Sequence, residues 1–432
     1  MAGIFGVVSI ENCIKDLFLG TFYLQHRAQT YCGLSFFNEN NLENHTHRGL
    51  LKEQFPEKRL EQFKSNYGIG SVSVTREPVS EISRLGGMIL SFDGNIINNE
   101  KLKNDFLKKG ISFSGYHNPE EVNDSVLISN IISRGGSFIS GVESLFELIQ
   151  GDFSLISLTR DGIYAARGWG RKPLILGKRE DCYAVSSESN SFINTGFEIT
   201  RDVNPGEIVF IDKTGVSQVK QFKIDNIKYG TFEWIYTSHP GSIIDGRGVA
   251  DVRMKIGKAL ARRYPIEADI VSPIPNSGRW HAIGYSQESG IPYREVFIRY
   301  DYSDRSYTQE ECLQQKTANE KLIPLKTIIR DKKIIINDDS IVRGKQTKKQ
   351  TLRLKELGAR EVHGRISCPP LMSACKYGKS TKKDEDCIAR RMSIEEIRNT
   401  RGFDSLGYAT IDDLVEAIGF SKDKLCLSCW ES

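Results

Sequence analysis

The sequence predicts two units in series: a layered α+β domain over residues 1–225, then an α/β domain built on a parallel sheet over residues 226–432. Three observations predict it. At 432 residues the chain is too long for one compact domain and about right for two. The first half groups short strands before and after helices, whereas the second alternates strand and helix. Finally, an apolar strand in the second half ends in two adjacent carboxylates, then a glycine loop and a helix. That is the order of a phosphate site at the carboxyl end of a parallel strand.

Taken in order, Ile4–Ser9, Ser71–Thr75, Met88–Phe92, Phe153–Thr159 and Ile163–Arg167 read as strands, being apolar or alternating at strand length. Helical periodicity interrupts them at Glu100–Lys109 and Ser125–Ser133. Asn204-Pro205-Gly206-Glu207 is a turn that feeds one more strand, Ile208–Ile211. Beyond a boundary near 215–230 come the helix Ala250–Arg263, the strands Ile270–Pro273 and Lys333–Ile336, the helix Lys348–Leu357 ending at Gly358, and the strand Glu361–Ile366.

Net charge is +4 with both signs spread throughout, so the chain lacks the basic stripe of a nucleic-acid-binding protein. No apolar run approaches the roughly 20 residues that span a bilayer. Nine cysteines are scattered without a secretory signal, so disulfides are not expected and the cytoplasm is the expected compartment.

The chemistry concentrates in Ile334-Ile335-Ile336-Asn337-Asp338-Asp339-Ser340-Ile341-Val342-Arg343-Gly344-Lys345-Gln346-Thr347. Backbone N–H groups in a loop leading to a helix N-terminus hold a phosphate. Gly344 lets the backbone approach that anion. Asp338 and Asp339 can accept hydrogen bonds from ribose hydroxyls, and Arg343 or Lys345 can add positive charge. An isolated acidic pair would read as a solvated turn, but the whole run is far more specific.

This run resembles the phosphoribosyl-pyrophosphate (PRPP) signature of type I phosphoribosyltransferases, and its Asp338–Gly344 core resembles that of the glutamine PRPP amidotransferases. Other segments match that family in order: Ser242–Gly246, Pro273–Gly278, Ala282–Tyr293, Met392–Ile397 and Asp404–Tyr408. The resemblance implies an α+β N-terminal-nucleophile hydrolase-like four-layer domain followed by an α/β type I phosphoribosyltransferase domain. It implies PRPP as substrate, with Asp338 and Asp339 at the ribose hydroxyls and at Mg²⁺. Gly344 and Thr347 would lie at the 5′-phosphate, Ser277 and Gly278 in the pyrophosphate-contacting loop, and Ser340, Arg343 and Lys345 among the residues that bind PRPP. A loop beginning near Arg305, with Lys321, would close over the substrate. The chain departs from the family at Lys345 and Gln346, where hydroxyl residues are usual, at Asn276, where an acid is usual, and at Asn319, where a base is expected.

The same resemblance implies a glutaminase ahead of the transferase, with an N-terminal cysteine as nucleophile. Here that position is Ala2, and a methyl group attacks nothing. Cys13 and Cys32 cannot replace it, having no free α-amine beside the thiol. Ala28 stands where the family has glycine. Ser71 and Ser73 replace a His and the Arg that grips the glutamine carboxylate, and Asp93 replaces the Asn of the oxyanion hole. A carboxylate there would repel the developing oxyanion. Asp124, matching the acid that holds the substrate amine, remains. Glutaminase activity is therefore expected to be absent.

Cys375, Cys426 and Cys429 match three ligands of the [4Fe–4S] cluster held by some family members, and the fourth falls near Gly230. Cys368, Cys387 or His239 would have to complete the set. The alternatives are buried thiols, or zinc at the Cys426–Cys429 pair. Two functional readings follow. One is a transferase that displaces pyrophosphate with ammonia or another small amine, giving 5-phosphoribosylamine in the simplest case, with a separate ammonia-supplying protein as one source of the nitrogen. The other is a non-catalytic regulatory protein that binds PRPP or nucleotides. An ordinary glutamine-dependent enzyme is opposed by Ala2, Ser73 and Asp93. A homo-oligomer, dimer or tetramer, is expected by resemblance, with neither nucleic acid nor membrane as partner.

Overall fold

The structure, a computed structural model, describes residues 2–39, 41–113, 122–300, 322–378, 381 and 383–431. They cluster into two compact units. One comprises Met1–Gly230, Gly241–Gly246 and Lys376–Lys379, and the other Thr231–Pro240, Arg247–Cys375 and Ser380–Ser432.

The first unit is built on two sheets. The seven-stranded one runs in the order Glu198–Asp202, Ile175–Arg179, Cys182–Ser186, Ala2–Val8, Tyr67–Ser73, Tyr31–Asn38, Asn41–Arg48. The six-stranded one runs Gly215–Gln221, Glu207–Asp212, Ile163–Arg167, Gly151–Leu158, Gly86–Ile96, Val79–Ser83. Strand alternation assigns the cores. Ala2, Ile4 and Val8 join Ile89, Ile156, Leu158 and Ile163 in a core made by both sheets. Phe5 and Val7 instead join Ile14 and Leu17 of the helix Ile14–Phe22. Met88, Leu90 and Phe92 pack with Leu102, Phe106, Val126 and Leu145 from the helices Asn99–Lys108, Asp124–Ser133 and Phe138–Leu148. The result is the expected four-layer helix–sheet–sheet–helix order.

In the second unit four parallel strands lie in the order Ile270–Pro273, Lys333–Asp338, Glu361–Ile366, Ser405–Tyr408. Ile334, Ile335 and Ile336 are all buried, as a sheet covered on both faces requires. The helices Val249–Arg263, Arg279–Ser289 and Lys345–Glu356 alternate with them.

Several sequence expectations shift. The helix expected from Lys348 begins at Lys345, because Gly344 takes a left-handed φ of 65° and turns the loop directly into the first helical residue. The expected strand 71–75 is the end of Tyr67–Ser73, and 88–92 is the middle of an eleven-residue strand. Ser242–Gly246, expected with the transferase half, clusters with the first unit. Arg167 donates to both carboxylate oxygens of Asp245 at 2.8 and 2.9 Å, and the Ser242 hydroxyl donates to Glu188.

Candidate functional site

In the second unit the parallel register places Pro273 beside Asn337, so the segments that follow these two strands emerge together at their carboxyl ends. The Ile274 N–H donates to the Asn337 carbonyl at 2.8 Å, and the Gly278 N–H to the Ile274 carbonyl at 3.0 Å. A Cβ at Gly278 would sit 2.2 Å from the Asn337 carbonyl oxygen, so only glycine fits there. Ser277–Gly278 is thereby drawn alongside Asp338–Asp339, as expected of two loops serving one ligand. The Pro275–Asn276 bond between them is cis.

Asp338 closes its strand half-buried. Burial first, and then the neighbouring Asp339, push that carboxyl well above the usual carboxylate range. The Asp339 N–H donates to Asp338 Oδ1 at 3.0 Å, and Ser340 Oγ donates to Asp339 Oδ2 at 2.6 Å. Asp338 thus holds a proton more readily than an exposed carboxylate would. Behind it, a cavity of about 10 Å³ is lined by Asp338, Thr347, Gln350 and Thr351, among others. That is room for one water. Gln350 is buried with Oε1 unpaired. Sequence reasoning missed it, since a polar residue inside a helix gives no signal.

Gly344 caps the helix Lys345–Glu356, with Thr347 buried one turn in. Arg343 is not aimed at that loop. Its Nε and Nη2 donate to Asp386 at 2.9 and 2.8 Å. Lys345 is exposed and has no ion pair among the described residues, and Arg401 approaches Gly344 with its Nε. Arg305, Asn319 and Lys321 lie outside the described residues.

In the first unit, Asp93 comes from the Gly86–Ile96 strand and Ala2 from the centre of the other sheet. The Ala2 N–H donates to Asp93 Oδ1 at 2.9 Å. Arg27 Nη2 lies 2.7 Å from Asp93 Oδ2, its Nη1 is 2.6 Å from Glu188 Oε1, and its Nε donates to the Ala2 carbonyl at 2.6 Å. All three charged side chains are inaccessible to solvent. Lys172 Nζ stands 3.8 Å from Asp93, and His26 Nε2 2.9 Å from Glu188. Burial alone would raise the Asp93 carboxyl, but Lys172 and Arg27 outweigh it and hold the group down at about 2. Glu188 is lowered too, His26 and Arg27 overcoming its burial.

This corrects the expectation that Asp93 stands as a bare repulsive charge. It is a neutralised member of a buried ionic network that encloses Ala2. Arg27 is adjacent to Ala28, but Glu188 and Lys172 lie in segments with no motif and were not legible.

Ser73, expected where an arginine would grip a carboxylate, instead faces one. Glu77 is buried, and its Oε1 accepts from Ser125 at 2.6 Å, Thr75 at 3.0 Å and Ser73 at 3.4 Å, while Oε2 accepts from the Phe92 N–H. Asp124 accepts from the Ile96 N–H and from Asn99. Ser71 Oγ is buried and unpaired, and Ala28 is buried. Burial pushes the Cys13 thiol up, and the Cys32 thiol up to about 12, so neither is a ready nucleophile.

The structure does not show the [4Fe–4S] cluster that the resemblance leaves open. Gly230 contributes no ligand, and among the described residues no group of three or more His, Cys, Asp or Glu side chains is placed to hold a metal ion. The same observation applies to zinc. Cys368 and Cys387 are buried thiols raised first by burial.

Taken together, the two units define an N-terminal-nucleophile hydrolase-like domain joined to a type I phosphoribosyltransferase domain. Residues 68–194 match the glutamine amidotransferase domain family. The amidophosphoribosyltransferase of Methanothermobacter thermautotrophicus is 36% identical over 99% of this chain and 93% of its own length. That of Bacillus subtilis is 31% identical over 99% and 92%. The solved B. subtilis glutamine PRPP amidotransferase, complexed with ADP and GMP, superposes with a TM-score of 0.90, covering 99% of this chain and 96% of its own. The chain belongs to the amidophosphoribosyltransferase family.

Proposed function

We propose that the protein is a PRPP-dependent phosphoribosyltransferase that displaces pyrophosphate with ammonia or another small amine, and that it hydrolyses no glutamine itself. Family membership and the paired loops at the strand ends support the first half. The observation that carries the second is the Arg27–Asp93 ion pair closed on Ala2. Position 2 lacks a nucleophile, and the oxyanion donor's place is taken by a carboxylate whose lone pairs are already engaged. Losing one oxyanion donor alone costs about 3 kcal/mol of transition-state stabilisation.

In the transferase reaction, the loop Arg343–Thr347 receives the 5′-phosphate on backbone N–H groups, with Lys345 adding charge. Asp338 and Asp339 orient the ribose hydroxyls. Their oxygen donors suit Mg²⁺, which uses one or two carboxylates plus substrate phosphates and would supply charge stabilisation to the departing pyrophosphate. The Ser277–Gly278 loop, fixed by Asn337, positions that pyrophosphate. The amine then attacks the anomeric carbon, with 5-phosphoribosylamine as product when it is ammonia.

A second reading, a PRPP- or nucleotide-binding regulatory protein, is favoured by the engagement of Arg343 with Asp386 and by Lys345, Gln346 and Asn276 in place of the usual residues. Pyrophosphate release from PRPP with Mg²⁺ tests both. Release that requires ammonium and is unchanged by glutamine is the expected result. Tight PRPP binding without release under any donor would replace the transferase reading with the regulatory one, and glutamine-dependent release with glutamate formation would overturn the glutaminase claim.

A further inference from the structure

We propose that Arg401 is a phosphate-binding residue of the transferase site, its guanidinium taking the 5′-phosphate dianion that the loop Arg343–Thr347 receives. The proposal rests on the reading that the chain binds PRPP. A Cβ built on Gly344 would lie 2.7 Å from Arg401 Nε, 3.3 Å from its Cδ and 3.3 Å from Ile341 Cγ2. Arg401 is therefore packed against the glycine at which the loop turns into the helix Lys345–Glu356. It arrives from a separate part of the chain, as the last residue of the helix Ile394–Arg401.

This arginine is fixed in place yet unused. Three arginines among the described residues bury an Nε that has no hydrogen-bond partner, Arg171, Arg365 and Arg401. Arg171 Nη1 pairs with Asp152 at 3.1 Å, and Arg365 Nη1 donates to the Gly364 carbonyl at 2.8 Å and to Ser405 at 3.1 Å. Arg401 makes no hydrogen bond or ion pair among the described residues. A buried donor left unpaired is costly, and it calls for the partner that a ligand would bring.

Its position is held from both sides. The Gly402 N–H donates to the Asn399 carbonyl at 3.2 Å, and the Phe403 N–H to the Arg398 carbonyl at 3.1 Å. A Cβ on Gly402 would meet Leu352 Cδ2 at 3.4 Å and Thr351 Cγ2 at 3.7 Å. The end of this helix thus lies against the helix that Gly344 starts, and Arg401 is set at the loop before any ligand arrives. The neighbouring cations are placed differently. Arg343 gives Nε and Nη2 to Asp386, and Lys345 is exposed. A guanidinium presents its N–H donors in a rigid fork that matches phosphate oxygens, whereas an exposed ammonium is a point charge on a flexible stem. Arg401 also supplies donors where the hydroxyl residues usual at Lys345 and Gln346 are missing.

Calorimetric titration of the full chain with Mg²⁺ separates this role from a purely structural one, in which the cation only complements the carbonyl end of its own helix. The probes are PRPP, ribose 5-phosphate and pyrophosphate. Arg401→Met is expected to weaken PRPP and ribose 5-phosphate about tenfold or more, as loss of a charged hydrogen bond does, and to leave pyrophosphate within about twofold. Arg401→Lys keeps the charge and loses the fork, so its ribose 5-phosphate affinity should fall between the two, and it carries the test if Arg401→Met does not fold. PRPP binding by Arg401→Met within about twofold of wild type overturns the proposal. So does an equal loss for pyrophosphate and ribose 5-phosphate, or ribose 5-phosphate binding by Arg401→Lys equal to wild type. A wild-type chain that binds no PRPP overturns the transferase reading and this inference with it, whereas unchanged binding by the variants overturns this inference alone.

Discussion

Asp93 and Arg27 are both sealed from solvent, and each has a second partner, Lys172 at 3.8 Å for Asp93 and Glu188 at 2.6 Å for Arg27. Removing one member therefore unbalances the network without leaving a charge wholly uncompensated. Asp93→Asn is expected to destabilise the first unit by about 1–3 kcal/mol in urea melts, while yielding no glutaminase activity. The acid side of the stability curve follows from the same pair. The folded Asp93 carboxyl is held at about 2, against about 3.9 in an unfolded chain. The unfolded state therefore binds the proton more readily. The stabilisation is complete above the unfolded value and is lost as pH falls from about 4 towards 2. Acid denaturation monitored on the first unit should show this loss in wild type and lack it in Asp93→Asn. The sequence revealed that the amide was gone. It could not reveal that a lysine and an arginine from elsewhere in the chain would neutralise its replacement, because those contacts join residues with no common motif.

At the scale of the element, the loops around the acidic pair are set by two glycines. Gly344 has φ 65°, and a Cβ there would lie 2.7 Å from Arg401 Nε. The left-handed conformation alone costs a substituted residue about 1–2 kcal/mol. Gly344→Ala is expected to weaken PRPP binding about tenfold by calorimetry, since the helix start must shift. Gly278→Ala meets the Asn337 carbonyl instead, and should lower pyrophosphate release more than PRPP affinity. The helix that follows Gly278 carries a further signature. His281 is buried with Nε2 3.2 Å from the Ile235 carbonyl. Burial and then Arg253 push it down to about 3. An unfolded histidine titrates near 6.5, so the unfolded chain gains protons first. The second unit should lose stability as pH falls below about 6.5, and His281→Gln should flatten that slope. The phosphate-loop helix was legible because strand, acids, glycine and helix follow one another in sequence. Its true start was not, because three polar residues after Gly344 mask the periodicity.

Across the molecule, what was legible follows burial. Strands lying inside the sheets, such as Gly151–Leu158 and Ile163–Arg167, carry apolar or alternating signals and were expected close to their observed limits. Asn41–Arg48 was not, because it reads Asn-Leu-Glu-Asn-His-Thr-His-Arg and is an edge strand held by its neighbour's backbone. Among the described residues no helix is long and apolar enough to cross a membrane. The ionic network around Ala2 also bears on the history of the chain. Ala2→Cys alone would set a thiol beside the Asp93 carboxylate, which disfavours the thiolate, and no glutamate should form from glutamine. Asp93→Asn alone leaves Arg27 to Glu188 and unbalances the network. Ala2→Cys with Asp93→Asn still lacks the arginine that Ser73 replaced. No single step back is expected to yield an active glutaminase. On the proposed reading, the loss is thus guarded by epistasis and works as a ratchet: a lineage that has filled this site with charge would reacquire nitrogen from glutamine more readily by recruiting another protein than by mutation here.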